Sequence, residues 1–364
     1  MVFLHGYDND VIKDNILKYV KTRAIYHAIM DNIDDIQDKR DASKCVSDLE
    51  NITRISYNSD LGIEFFKNIN NFTTKLLNPE SKIPFLYKDL DRVTYGGVPS
   101  DDQFLGIIMA QPGLGKSQIM SNFCHQYLKQ GKKALVISLE MSEHMYQGRM
   151  ASIVTEININ LLSKSVDGVK KKVTGFSMAN PKSKLYIKEF ATGTLNCLHL
   201  KQYIDKVQSV TGEKIDIVFV DYINIMKANA SSSSQTLYEK CVRISEELRA
   251  LSGFYKIPFW SATQVNRSGY DSADVGMGNT SESSGINATA DFICAAYQLQ
   301  GEREQGKLNL KIIKNRLGGY IDTVIPLRVD YDTLRIFDWI DEEVEEDVDI
   351  SNSSNNPLNL IDDI

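Results

Sequence analysis

Hydrophobic and polar positions follow two different patterns, and the change falls near residue 83. Across 8–40, Ile12, Ile16, Leu17, Val20, Ala24 and Ile29 recur at three-to-four spacing, with charges on the other face. That spacing predicts an amphipathic helix, which must dock its stripe on its own domain or on a neighbouring subunit. Residues 41–80 read as polar helix ending in the loop signal Asn78-Pro79-Glu80-Ser81. Beyond 83, short apolar runs alternate with helical stretches. Phe104–Met109, Ala134–Leu139, Leu185–Phe190, Ile215–Val220, Pro258–Ala262, Asp291–Tyr297 and Leu308–Ile313 read as buried strands, with helices over 117–129, 142–157, 196–210 and 236–252. This alternation predicts an α/β fold, a mostly parallel sheet flanked by helices on both faces. Leu308–Lys314 and Thr323–Val329, joined near Gly318-Gly319, read as an antiparallel hairpin at the sheet edge. Residues 263–287 are Ser-, Gly- and Asn-rich; so long a polar stretch between core strands is expected to be mobile or functional.

One junction carries specific chemistry. Ala110-Gln111-Pro112-Gly113-Leu114-Gly115-Lys116-Ser117 follows the first of those strands and opens the next helix. Strand, Gly-rich loop, Gly-Lys-Ser and helix form the phosphate-binding loop of ATPases. Gly113 and Gly115 let backbone N–H groups converge on phosphates, and the helix start adds unpaired N–H groups and its positive dipole end. Lys116 reaches the β- and γ-phosphates of ATP, and the Ser117 hydroxyl binds Mg²⁺. Ala110 stands where the usual pattern has Gly, a small enough change for the loop still to close.

Other candidates lie at strand ends. Asp221 closes Ile215–Val220, which places a carboxylate beside the phosphate loop to hold Mg²⁺ directly or through water. Glu140 follows Ala134–Leu139 and is a candidate to orient or deprotonate the attacking water; the plainer alternative is a helix N-terminal carboxylate. Gln264 follows Pro258–Ala262, as a γ-phosphate contact or a backbone cap. Lys314 and Arg316, one residue apart at a strand end, share a face. They are either solvated or a pair reaching into a neighbour's ATP site, where Arg stabilises the departing phosphoryl charge.

Composition and charge restrict the class. The 364 residues allow one large or two modest domains. No apolar run approaches the ~20 residues needed to cross a bilayer, and the amino terminus lacks the pattern of a signal peptide. Cys45, Cys124, Cys197, Cys241 and Cys294 are scattered with no Cys-x-x-Cys pair, so neither a zinc site nor a disulfide framework is expected, and a reducing cytoplasm fits. Net charge is −7, yet residues 336–364 hold ten Asp/Glu and no Lys/Arg, leaving residues 1–335 at +3. The basic body permits nucleic-acid contact. The acidic tail has the composition of a disordered segment.

Five blocks, in order, resemble the DnaB-like replicative helicases, those of large tailed phages above all: Ser-Leu-Glu-Met-Ser (138–142), Val-Asp-Tyr-Ile-Asn-Ile-Met (220–226), Glu-Glu-Leu-Arg-Ala-Leu (246–251), Ser-Ala-Thr-Gln-Val (261–265) and Ala-Thr-Ala-Asp (288–291). The resemblance runs from about Tyr19 to Val329. It implies a RecA-like P-loop NTPase core, a homo-hexameric ring with ATP between neighbours, and 5′→3′ movement on single-stranded DNA, with primase, a helicase loader and other replisome proteins as partners and no membrane. Lys116 and Ser117 match the phosphate-loop pair, Glu140 the catalytic carboxylate, Asp221 the Mg²⁺-associated Asp and Gln264 the γ-phosphate sensor. Lys314-Asn315-Arg316 matches the Lys-x-Arg that acts in trans, with Arg316 as the finger. The resulting division is a linker helix (1–40), a helical connector (41–82), the ATPase domain (83–335) and the acidic tail (336–364). Relatives carry an amino-terminal collar ahead of the linker helix; only about ten residues precede it here, so the expectation is either a truncated piece of a longer protein or a natural form without the collar. Cellular relatives place an Arg beside a Glu before the Ala288 block, where this chain has Ser281 before Glu282. DNA contact is then expected from backbone N–H groups, Ser283, Asn279 and Arg267 around Glu282. The alternatives are a RecA-type recombinase, sharing the core and the catalytic Glu, and a nucleotide-locked scaffold without turnover.

Overall fold

The computed structural model describes residues 9–33, 43–54, 62–77, 81–229, 236–264 and 288–340. The chain divides into two units, 1–74 and 75–364. In the first, α1 (Asn9–Met30) packs on α2 (Ser43–Arg54), with Ala28 and Cys45 buried and the Cys45 Sγ donating to the Ala28 carbonyl at 3.8 Å. Of the stripe read from the sequence, Ile16, Val20 and Ile29 stay exposed, as do Tyr19 and Met30 beside it. Helix α3 (Ile69–Leu77) follows.

The second unit is built on a sheet of nine strands. A small separate ladder pairs β1 (Lys82–Ile83) with β2 (Val98–Pro99) around α4 (Lys88–Val93). Then come β3 (Phe104–Ala110), α5 (Lys116–Leu128), β4 (Lys133–Ser138), α6 (Glu143–Thr155), α7 (Val166–Ala179), β5 (Lys184–Glu189), α8 (Cys197–Thr211), β6 (Ile217–Asp221), α9 (Leu237–Tyr255), β7 (Pro258–Gln264), β8 (Phe292–Tyr297), β9 (Lys307–Asn315), β10 (Val324–Asp330) and β11 (Arg335–Asp338). The main sheet runs β11-β10-β9-β8-β3-β7-β6-β4-β5. Strands β8, β3, β7, β6, β4 and β5 are parallel, and β9 to β11 continue antiparallel.

The centre of this sheet is apolar on both faces because helices cover both. Along β3, Phe104, Ile108 and Ala110 join one core with Phe123 and Trp260, while Leu105, Ile107 and Met109 join the other with Leu200 and Leu248. A Cβ on Gly106 would overlap the Trp260 ring, so the glycine lets that indole lie against the strand. Side chains set the helix starts. Ser142 caps α6 by accepting from Met145 N, Asn196 caps α8 by accepting from His199 N, and Thr236 with Glu239 forms a capping box on α9.

Three expectations need correction. The 308–329 pair is an antiparallel hairpin, but not at the edge: β9 lies between β8 and β10, and β11 is the edge strand. Strand β11 also takes in residues 336–338 from the stretch read as tail, because Ile336 enters the core and its N–H donates to Asn122 Oδ1 on α5. Helix α7 has no counterpart among the helices expected from sequence, because its Lys-rich stretch buries no residue fully.

Candidate functional site

Parallel pairing brings five strand ends to one edge. Ala110 pairs with Gln264 and with Ala296, and Ser138 with Asp221. The phosphate loop therefore leaves β3 with the ends of β7, β6 and β4 on one side and β8 on the other, the crevice at the carboxyl ends of strands where α/β sheets bind ligands. Ala110 itself is fully buried strand and has no positive φ, which explains why it serves in place of Gly. The left-handed turns fall on Gly113 (φ 82°) and Gly115 (φ 83°), where a side chain would be strained. With them, Gln111, Pro112 and Leu114 complete the loop, and the Leu114 N–H donates to the Gln111 carbonyl at 3.3 Å.

Lys116 opens α5 almost buried, at 9% exposure. Burial lowers its pKa, against the pull of Glu140 and Asp221. Its Nζ sits 5.2 Å from the centroid of the Tyr222 ring. Asp221 is 1% exposed. Burial raises its pKa to about 6; Ser117 opposes the shift, Glu140 adds to it, and Lys116 and Arg149 oppose it. Neither carboxylate oxygen has a hydrogen-bond partner. An anionic oxygen pair that is buried and unpartnered costs several kcal/mol unless something cationic meets it. With Ser117 beside it, the donor set fits a hard divalent cation such as Mg²⁺.

Glu140 is exposed at the same edge. A tight turn lifts it there: Ser138 Oγ donates to the Met141 carbonyl at 2.6 Å and accepts from Met141 N at 3.1 Å, while Leu139 N donates to the Asp221 carbonyl at 2.9 Å. Gln264 is held by two contacts from the segment after Asp221. Its backbone N–H donates to Asn224 Oδ1 at 3.3 Å, and Tyr222 Oη donates to its Oε1 at 3.1 Å.

Lys314 and Arg316 are elsewhere. Lys314 Nζ and Arg316 Nη2 both donate to the Ala288 carbonyl, at 3.0 and 3.2 Å, so they do share a face. Arg316 Nη1 also reaches Asp291 Oδ1 at 2.9 Å, and Asp291 takes Arg249 at 3.0 Å and the Leu105 N–H at 3.0 Å. Leu105 is near the start of β3, so this cluster lies about 17 Å, roughly five strand residues, from the phosphate loop of the same chain. Arg267, Asn279, Glu282 and Ser283 lie outside the described residues.

Part of the crevice has no signal in the sequence. The phosphate loop forms one wall of a cavity of about 850 Å³ whose other wall is Gln298–Gly301 and Arg303. Arg303 stacks 4.7 Å over the Tyr331 ring, and Gln298 Nε2 donates to Tyr331 Oη at 2.8 Å. Arg303 and Tyr331 are brought together only by the turn of β9 into β10. Tyr222, by contrast, has a signal in its place directly after Asp221. All five cysteines are buried and none is in a disulfide. No helix among the described residues is long and apolar enough to cross a membrane.

A phosphate loop at the centre of a RecA-like sheet, with an acidic strand end beside it, defines a P-loop NTPase. The profile of the DnaB-like helicase C terminal domain matches residues 83–333, and the chain belongs to that family. It is 27% identical over 323 residues to the DnaB-like replicative helicase of Enterobacteria phage T4, covering 83% of this chain and 66% of the relative. It is 30% identical over 241 residues to the replicative DNA helicase DnaB of Pasteurella multocida, covering 63% and 50%. The chain thus spans about half to two thirds of the length of these relatives. Among solved structures, a DnaB-like replicative helicase determined with its interactions with primase aligns at TM-score 0.63 and 16% identity, over 90% of this chain and 78% of that one. A second solved structure, an isolated ATPase domain, aligns at TM-score 0.62 and 16% identity, over 77% and 100%. At such identity these two speak to the fold, and they agree on a RecA-like core.

Proposed function

We propose that this chain is the ATP-driven motor of a replicative DNA helicase, moving 5′→3′ on single-stranded DNA in the host cytoplasm as a homo-hexameric ring. The family supports a helicase over a recombinase. One observation carries the mechanism: the buried, unpartnered Asp221 lies at the carboxyl ends of the parallel strands, and the cationic pair Lys314/Arg316, from β9, lies at their amino ends. A single chain then offers the nucleotide a phosphate cradle, while its finger faces away, which fits a site shared between two copies.

In that site Lys116 and the loop N–H groups bind the β- and γ-phosphates of ATP, and Ser117 and Asp221 hold Mg²⁺. Bound Mg²⁺ supplies charge neutralisation on the phosphates. Glu140 accepts a proton from the attacking water. Gln264 contacts the γ-phosphate, and Arg316 of the next copy stabilises charge on the departing phosphoryl group. The Arg303–Tyr331 stack offers a flat face to the base at the cavity mouth. The exposed side of α1 serves as the linker surface for a neighbouring subunit, and Arg267, Asn279 and Ser283 with nearby backbone N–H groups contact DNA phosphates, which carry no sequence information. Primase and a loader are the expected partners.

Mixing Arg316→Ala subunits with wild type tests the shared site. Activity falling faster than the mutant fraction is the expected result; a strictly proportional fall refutes sharing. Fork unwinding without strand exchange is expected, and phosphate release excludes a locked scaffold.

A further inference from the structure

Tyr222 touches two residues of the nucleotide site, one on each of two elements. Its ring lies 5.2 Å from Lys116 Nζ, within cation–π range. Its Oη donates to Gln264 Oε1 at 3.1 Å. It is only part-buried, so filling the core is not its main contribution. The backbone around it is fixed by its neighbours. Asp221 ends β6, and Asn224, two residues past Tyr222, accepts from Thr263 Oγ1 at 2.9 Å and from Gln264 N at 3.3 Å. Lys240 Nζ donates to the Asn224 carbonyl at 3.1 Å, tying the same turn to α9. Gln264 is thus gripped twice from one turn, by backbone through Asn224 and by side chain through Tyr222.

The side-chain grip has a chemical consequence. A glutamine amide has an acceptor end and a donor end. When the phenol O–H occupies Oε1, the amide is fixed with its NH₂ end free to donate. A donor is what a terminal phosphate oxygen needs; an amide turned the other way would oppose oxygen with oxygen. The ring meanwhile gives the Lys116 ammonium a resting surface at the entrance to the loop, so that it does not have to be drawn from bulk water.

We propose that Tyr222 is a positioning residue of the nucleotide site: its phenol orients the Gln264 amide toward the terminal phosphate, and its ring positions the Lys116 ammonium. The inference rests on the ATPase reading above and adds to it a residue that acts through two others. Because Gln264 acts only on a terminal phosphate while Lys116 reaches the β-phosphate as well, the phenol and the ring have separable effects.

The test compares Tyr222→Phe, Tyr222→Leu, Gln264→Ala and Tyr222→Phe/Gln264→Ala in the full chain, with a fluorescent non-hydrolysable ATP analogue and fluorescent ADP as probes. Tyr222→Phe keeps the ring and removes the hydroxyl. It should weaken the triphosphate analogue about five- to ten-fold, the worth of one hydrogen bond, and leave ADP affinity unchanged. Gln264→Ala should do the same, and the double variant should lose little more, the signature of coupled residues. Tyr222→Leu should weaken ADP binding too. A Tyr222→Phe protein that keeps the wild-type ratio of triphosphate to ADP affinity, or a double variant whose losses add, overturns the inference while leaving the ATPase reading intact. Wild-type protein that binds neither probe overturns both.

Discussion

The two ends of the parallel strands treat charge in opposite ways. At the carboxyl end, Asp221 is buried with neither oxygen hydrogen-bonded, and Lys116 rests on an aromatic face. At the amino end, Asp291 is also buried but takes two guanidinium groups and a backbone N–H. One end is unfinished, the other complete. A fold tolerates a buried unpaired carboxylate where a ligand finishes it, and otherwise satisfies it internally. On the proposed function, the contrast separates a place that binds from a place that holds a cation ready for use elsewhere.

The largest effect expected is on turnover. Arg316→Ala should cut kcat by about 10³–10⁵ while leaving unfolding nearly unchanged, because Arg249 still pairs with Asp291. Steady-state ATP hydrolysis with urea unfolding reads both. An Arg316→Ala protein with full turnover would mean that the amino-end cluster is purely structural, and the contrast between the two ends would lose its functional meaning.

Asp291→Ala attacks the same cluster from the other side. It removes the shared partner of two cations and of the Leu105 N–H, and should cost about 3 kcal/mol of stability. That is the low end for a buried pair, because Arg316 and Arg249 keep partial access to water and their charges are screened. Activity should fall with it, since the finger loses its anchor. Chemical denaturation at fixed pH measures the loss; a change below the ordinary scatter of surface substitutions would show that Asp291 is not what completes this end.

The complementary change at the carboxyl end should stabilise. Asp221 has its pKa raised to about 6 by burial. A raised pKa means that the folded state holds the proton more tightly. The benefit is full below the unfolded value near 4 and is lost as pH rises through about 6. Above that, the ionised carboxylate destabilises the nucleotide-free protein. Asp221→Asn should therefore raise stability at pH 8 by about 2 kcal/mol, the ~3 kcal/mol value of the shift less the cost of an unpartnered amide. At pH 4 the gain should vanish. Hydrolysis should be lost, and so should the stabilisation of wild type by Mg²⁺ with nucleotide. Unfolding curves at the two pH values decide it, and a variant no more stable at pH 8 than at pH 4 contradicts the sign.

What is readable in the sequence follows from how local each signal is. The phosphate loop is eight consecutive residues; β3, β4 and β6 carry unbroken apolar runs, and β7 a nearly apolar one, because helices cover both faces. Asp221, Glu140 and Gln264 inherit their places from those runs. Lys314 and Arg316 share a face as their spacing predicts, but their distance from the loop follows from β9 being antiparallel to β8, which no local pattern encodes. Strand β11 is hidden by the acidic composition around it; what orders it is pairing with β10 and the Asn122 contact from α5. Arg303 and Tyr331 are 28 positions apart, and neither has a motif.

That last pair gives the smallest effect and sharpens what the unfinished end selects. In the proposed site the phosphate loop, Asp221 and Gln264 all address phosphates and metal, so none of them would distinguish one nucleoside triphosphate from another. Discrimination has to come from the other wall of the cavity, where Arg303 lies 4.7 Å over Tyr331 and Gln298 fixes the phenol at 2.8 Å. A purine offers more stacking area to that face than a pyrimidine. Removing the guanidinium by Arg303→Ala should raise the KM for ATP about five-fold, roughly 1 kcal/mol of exposed cation–π contact, with kcat unchanged because the reacting phosphate is untouched. The KM for a pyrimidine triphosphate should rise less, so the ratio of the two is the informative quantity. If both rise equally, Arg303 acts as a general anion attractor at the cavity mouth. If only kcat falls, the 298–303 wall belongs to the chemistry and not to base selection.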